Sequence, residues 1–138
     1  MKQELKISCQ KECLSEIRAF VNESLAHLDI SESLQYKIVL AVDEACSNAI
    51  IHGHNCDETQ DINIELEVID NAVLEVKIFD IGVYSDDYED LGAIGIEEHI
   101  QNKNKGGLGL KLIFSIMDKV KFYTKNKLNI CELEKELI

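Results

Sequence analysis

An α+β fold, a two-layer α/β sandwich with helices on one face of a mixed, mainly antiparallel sheet, is what this sequence predicts. Three observations carry that prediction. Residues 61–69 alternate strictly, with Ile62, Ile64, Leu66 and Val68 set against Asn63, Glu65 and Glu67, as in a strand with one wet face. Ten of the fourteen residues from 38 to 51 are apolar and lie nearly all round a helix, so this helix is expected to be largely buried. The order β, α, α, β, β, long loop, α, β, β joins hairpins to helices instead of alternating strand with helix.

Taken in order, residues 3–8 (QELKIS) alternate through Leu5 and Ile7 and read as a short edge strand. Residues 11–28 space Leu14, Ile17, Val21, Leu25 and Leu28 three or four apart, which makes an amphipathic helix. Asp29 or Ser31 can cap the next helix, Asp29 having Glu32 three positions on as a capping-box partner. That helix carries IVLAVDEACSNAIIH (38–52) and is expected to stop near Gly53. After the polar loop HNCDETQD and the strand 61–69, Asp70 and Asn71 supply turn residues. The chain returns over 73–79 with Leu74, Val76 and Ile78 on one face. Asp80 closes this strand in phase with those three, so its carboxylate is expected to point toward the core.

From 81 to 105 the pattern gives way to Gly, Asp, Asn and Lys, with at most a helical turn at 96–100, and a connection this long suits a lid or binding loop. It ends in KGGLGLKLIFSIMD, where Gly106, Gly107 and Gly109 sit at or just inside the start of a helix continued by Leu110, Leu112, Ile113, Ile116 and Met117. Residues 119–124 and 129–137 form a closing hairpin, with Val120 and Phe122 inward on one arm and Cys131, Leu133 and Leu137 on the other.

A chain of 138 residues matches one ordinary domain, expected over residues 1–138. No run of eighteen apolar residues and no short apolar segment behind a basic N-terminus occurs, so a cytoplasmic protein without a membrane partner is expected. The five cysteines are odd in number and lack CxxC spacing, which favours reduced structural thiols. His52 and His54 stand two apart with no third ligand and do not make a zinc site. With 26 acidic and 14 basic residues the net charge is −12, which argues against nucleic acid as a partner. Lys103, Lys105 and Lys111 concentrate positive charge around the glycine cluster, where a phosphate-bearing ligand fits.

The chemistry follows from polar residues in apolar places. Glu44 and Asn48 are four apart, with His52 four further on, so the three project along one side of the helix. Glycines at a helix start let backbone N–H groups approach an anion, and Lys105 adds a full positive charge. The cluster is not a P-loop, since no Lys-Ser or Lys-Thr follows the glycines. Nor is it a dinucleotide fingerprint, because Leu112 takes the third glycine position and no βαβ unit surrounds it.

The ordered trio of Glu44 with Asn48, then Asp80-Ile81-Gly82, then a long loop into GGLGL, resembles the GHKL or Bergerat-fold ATPase superfamily. Within it, EACSNAIIHGH and GGLGLKLIFSIMDKV look most like the anti-sigma-factor serine/threonine kinases. The resemblance implies ATP and Mg²⁺ as cofactors. It implies Glu44 as the general base, Asn48 as the Mg²⁺ ligand, and Asp80 as the acceptor for the adenine amino group, with Gly82 permitting close approach of the base. Lys105, Gly106, Gly107, Leu108 and Gly109 fall where the family wraps the phosphates, behind its ATP lid. Arg18 lies near where these kinases contact a sigma factor or antagonist. Two departures stand out. Tyr84 replaces a second glycine two residues after Gly82, and the threonine common near the start of the last strand has no clear match around residues 129–132. The implied function is a regulatory serine kinase that phosphorylates a small serine-bearing antagonist protein, sequesters a sigma factor and forms a homodimer. The alternative is a nucleotide-gated protein-binding module with little or no phosphotransfer.

Overall fold

The computed structural model describes residues 2–8, 12–49, 61–80, 107–126 and 128–137. Eight elements follow in order: β1 (Lys2–Ser8), α1 (Cys13–Leu25), α2 (Glu32–Asn48), β2 (Asp61–Ile69), β3 (Val73–Asp80), α3 (Gly107–Ile116), β4 (Lys119–Lys125) and β5 (Leu128–Glu136). The strands form one sheet in the order β1-β2-β3-β5-β4. All four pairings are antiparallel, so the parallel component expected of a mixed sheet does not occur among the described strands. Strand β5 inserts beside β3, and its hairpin partner β4 takes the edge.

Period-two alternation puts apolar side chains in rows across the sheet. One row runs Leu5, Ile64, Ile78, Cys131, Phe122, and the next includes Leu66, Val76, Leu133 and Val120. Ile64, Leu66 and Val76 are fully buried. Each such side chain contributes about 1.5–3 kcal/mol of transfer free energy. The opposite face carries charge pairs such as Lys2–Glu65 at 2.6 Å and Lys77–Glu132 at 3.6 Å. The β2–β3 turn has Asp70 and Asn71 at φ of 53° and 55°, the left-handed central pair of the tight turn that Ala72 N–H closes onto the Ile69 carbonyl, with Ala72 an extra residue before Val73 pairs with Ile69. On edge strand β4, Lys119, Lys121 and Lys125 are exposed, a second basic concentration beyond the one around the glycines. Edge lysines also discourage pairing with another chain's strand.

Helix α1 buries Ile17, Val21 and Leu25 of the predicted face together with Cys13 and Ser24, while Leu14 is half-buried and Leu28, also half-buried, lies beyond the helix, which ends at Leu25 rather than 28; the Ser24 side chain pairs with that of Gln3 on β1. Ser31, rather than Asp29, caps α2: its hydroxyl accepts from Leu34 N at 3.0 Å. Arg18 Nη1 donates to Asp43 Oδ1 at 2.9 Å, joining α1 to α2, and Gln35 Nε2 donates to Asn22 Oδ1 at 3.2 Å across the same seam. Helical backbone persists at Ala49, whose N–H reaches the Ala45 and Cys46 carbonyls; the expected stop near Gly53 lies outside the described residues.

Candidate functional site

Topology brings two features to one end of the sheet, the end of β3 and the C-terminal half of α2. Strand β3 leaves the 70–71 turn and finishes at Asp80, which pairs with Asn129, itself opposite Thr124. Helix α3 finishes beside β4, which begins at Lys119 opposite Glu134, at the far end from Asp80. A helix of ten residues spans about 15 Å, so Gly107 stands about that far along α3 from its Ile116 end. The C-terminal half of α2 arrives at the Asp80 end, since Cys46 lies within electrostatic range of both Asp80 and Cys131.

Asp80 occupies the core side of β3, as its phase predicts, and is 1% exposed. It replaces the apolar residues of the preceding rows with a polar row, Asp80–Asn129–Thr124. Asn129 Nδ2 donates to Asp80 Oδ1 at 3.3 Å, and Thr124 Oγ1 donates to Asn129 Oδ1 at 3.1 Å. Asn129 is 2% exposed. It was not singled out from the sequence, yet the phase argument that finds Asp80 also finds it: Asn129 is in step with the inward residues Cys131 and Leu133.

On α2, Ile38, Ala41, Val42, Ala45 and Cys46 are buried, whereas Glu44 and Asn48 lie half-buried on its flank. Although the helix as a whole is largely buried, as expected, Glu44 sits at the margin of its packed face and keeps contact with solvent. Asn48 Nδ2 is buried without a hydrogen-bond partner among the described residues. A buried amide left in that condition fits a ligand-facing position, and turning the amide would present its oxygen instead.

Gly107, Leu108 and Gly109 form the first residues of α3. Gly82, Lys105 and Gly106, together with Tyr84 and the loop 81–105, lie outside the described residues. Cys46 and Cys131 are fully buried thiols, and burial pushes both well above the usual thiol range; the neighbouring thiols raise Cys46 further. Their proximity to Asp80 marks them as packing groups behind the polar row, with no thiolate chemistry at neutral pH. A cavity of about 840 Å³ lies at the other end of the sheet, between the α1–α2 connection (His27, Asp29, Ile30) and the β2–β3 turn. It contains none of the sequence-predicted site residues, so size alone does not locate the chemistry here.

An inward carboxylate at a strand end, a half-buried acid and amide one turn apart on a helix, and a glycine-led helix start are the polar features this α+β domain presents. The family described as "Histidine kinase-like ATPase domain" matches residues 7–135, and the chain belongs to it. Membership implies use of ATP. The chain is 25% identical over 130 residues to the serine-protein kinase RsbW of Bacillus velezensis, covering 92% of this chain and 81% of that one. It is 28% identical over 121 residues to the serine-protein kinase RsbW of Bacillus subtilis, covering 86% and 75%. To the anti-sigma F factor of Clostridium perfringens it is 29% identical over 111 residues, covering 80% and 78%. Among solved structures, that of the RsbU and RsbW domains of a Mycobacterium tuberculosis protein shares the fold with a TM-score of 0.71 at 15% identity, over 99% of this chain and 32% of that one. The catalytic domain of the histidine kinase ThkA does so with a TM-score of 0.60 at 13% identity, over 98% and 97%.

Proposed function

We propose that this chain, as one domain over residues 1–138, is an ATP-dependent regulatory serine kinase of the anti-sigma-factor type. The observation that carries the reading is the inward Asp80 row at the end of β3 with the C-terminal half of α2, which carries Glu44 and Asn48, beside it. The names of the relatives, serine-protein kinase and anti-sigma F factor, support the same class. The substrate is a serine on a small antagonist protein, and a sigma factor is the second partner. A homodimer, a cytoplasmic setting and a role in transcription regulation complete the proposal.

In this reading Asp80 accepts a hydrogen bond from the adenine amino group while Asn129 holds its other side. Gly82 allows the base to approach, and Lys105, Gly106, Gly107, Leu108 and Gly109 surround the phosphates, with backbone N–H groups and the helix dipole favouring negative charge. Asn48 is the side chain suited to Mg²⁺, a hard cation that prefers oxygen ligands and neutralises phosphate charge when bound. Glu44, half-buried and one turn from Asn48, takes the proton from the serine hydroxyl as the serine oxygen bonds to the γ-phosphorus and the bond to the bridging oxygen of ADP breaks.

Incubation with γ-labelled ATP and a candidate antagonist tests this directly. Label should move to a serine of the antagonist, and Glu44→Ala should lower that rate by about 10²–10⁴-fold while nucleotide binding persists. Nucleotide binding by the wild type without any transfer would overturn the kinase assignment in favour of the binding module.

A further inference from the structure

We infer that the cavity at the end of the sheet away from Asp80 is a docking groove for a partner protein, taking a segment in which a leucine or isoleucine is flanked by lysines or arginines. This goes beyond the nucleotide reading and does not depend on it.

Local backbone structure builds the groove. Helix α1 ends at Leu25, and residues 26–31 carry the chain over to α2, with the β2–β3 turn standing across the cavity from them. Main-chain bonds fix both walls. Leu28 N–H donates to the Leu25 carbonyl at 3.0 Å, and Ala72 N–H donates to the Ile69 carbonyl at 3.0 Å. Leu137 N–H, just past the last strand, donates to the Ala72 carbonyl at 2.8 Å, which brings Leu137 into the lining. A groove held in this way is formed before any ligand arrives, so little ordering of the protein opposes binding.

The lining decides what fits. Its floor is apolar, with Val68 buried and Leu28, Ile30 and Leu137 half-buried, and these last three keep apolar surface that the protein's own core leaves uncovered. At the mouth Asp29 and Asp70 are exposed, and among the described residues neither has an ion-pair partner, whereas Glu65, Glu132 and Glu134 on the outer sheet face are paired with Lys2, Lys77 and Lys119. No lysine or arginine lines the groove among the described residues, and His27 is the one side chain there able to carry a positive charge. Helix α1 has no basic residue in its last turn, so the negative end of its dipole is not offset within the helix. Charge complementarity therefore selects a cationic occupant, and the floor selects an aliphatic side chain beside the charge. An exposed rim suits a partner segment better than a free small molecule, which a ligand pocket covers over about 70–90% of its surface. A side chain carried by a partner brings its own covering surface with it.

Titration of the ¹⁵N-labelled full chain with the N-acetylated, C-amidated peptide Lys-Leu-Lys-Leu-Lys, followed by amide chemical shifts, tests this. The amides of Leu28, Asp70 and Leu137 should shift saturably with a Kd below about 1 mM, while those of Asp80 and Asn129 stay in place. Asp29→Asn combined with Asp70→Asn should raise Kd about twofold to thirtyfold, the range of two exposed ion pairs, and about 1 M salt should act in the same direction. Both positions are exposed, and Asn tolerates the left-handed φ of 53° at position 70, so the double variant keeps the fold. The peptide Lys-Ser-Lys-Ser-Lys should bind about tenfold more weakly or worse, for want of apolar side chains. Absence of saturable shifts, shifts centred on other residues, equal affinity for Glu-Leu-Glu-Leu-Glu, or a Kd unchanged in the double variant overturns the inference. Equal affinity for free hexylamine would give the groove to a small amphiphile, and the same amides shifting with protein concentration alone would give it to a second copy; either result also overturns it. ATP binding is measured separately, so the nucleotide reading survives any of these outcomes.

Discussion

Replacing Asp80 by Asn separates a residue kept for a ligand from one kept for the fold. The substitution preserves shape. An Asn side-chain oxygen at position 80 can still accept from Asn129 Nδ2, which lies 3.3 Å from the present Oδ1. What changes is the charge, at a position only 1% exposed. Burying a carboxylate forgoes hydration that a neutral amide needs much less, so the unliganded protein should hold its stability or gain up to about 1 kcal/mol, a rise in Tm of no more than about 5 °C. For a bound adenine the effect has the opposite sign. An acceptor facing an amino group becomes in part a donor, and loss of a charge-assisted hydrogen bond costs about 1.5–3 kcal/mol, raising Kd about ten- to 150-fold.

Thermal melts with and without ATP measure both effects in one experiment. At a nucleotide concentration about 100 times the wild-type Kd, binding stabilises the wild type by about 2.7 kcal/mol, and a variant that binds tenfold more weakly by about 1.4 kcal/mol. The expected signature is therefore an equal or higher Tm without ATP together with an ATP-induced shift cut to about half or less. An Asp80→Asn protein that melts lower by the equivalent of about 2 kcal/mol, with its ATP response intact, would refute the reasoning and make Asp80 a structural acid.

Other consequences are open to simpler measurements. Ser31→Ala should cost about 1 kcal/mol in urea unfolding, whereas Asp29→Ala should cost a few tenths at most, because only Ser31 receives the Leu34 N–H. A double-mutant cycle on Arg18 and Asp43 should give a coupling of about 0.3–1 kcal/mol that fades in 1 M salt, since the arginine is half-exposed; a larger, salt-independent value would contradict the surface character of the pair. Stability should also fall in alkali. The folded-state pKa of Cys46 is raised above the ordinary value of 9.0, so its contribution is fully present below pH 9 and is lost as pH rises toward the folded value. Urea midpoints should decline above pH 9, and Cys46→Ala should flatten that decline even though it lowers stability at pH 7.

How far the sequence could be read follows from the range over which each feature is encoded. The alternation in 61–69 and 73–80 is local, since side chains leave a strand on opposite faces in turn, and it yields both strands, their turn and the inward direction of Asp80 before any fold is known. The apolar spacing of α1 and α2 is local in the same way. Two candidate caps for α2 differ by only two residues, and both suit the role chemically; the backbone at Ser31, extended at ψ 154°, decides between them. The insertion of β5 beside β3 joins residues 49 to 63 positions apart, and nothing in either segment specifies that partner. Asn129 therefore stood in plain sight as an inward polar residue but could not be assigned to Asp80 until the pairing was known. A site assembled across strands is legible one residue at a time, by phase, and becomes a constellation only through the sheet order. The same reasoning applies to the half-burial of Glu44: periodicity gives the direction of a side chain on its helix, while the depth of that direction depends on what α1, α3 and the sheet leave uncovered.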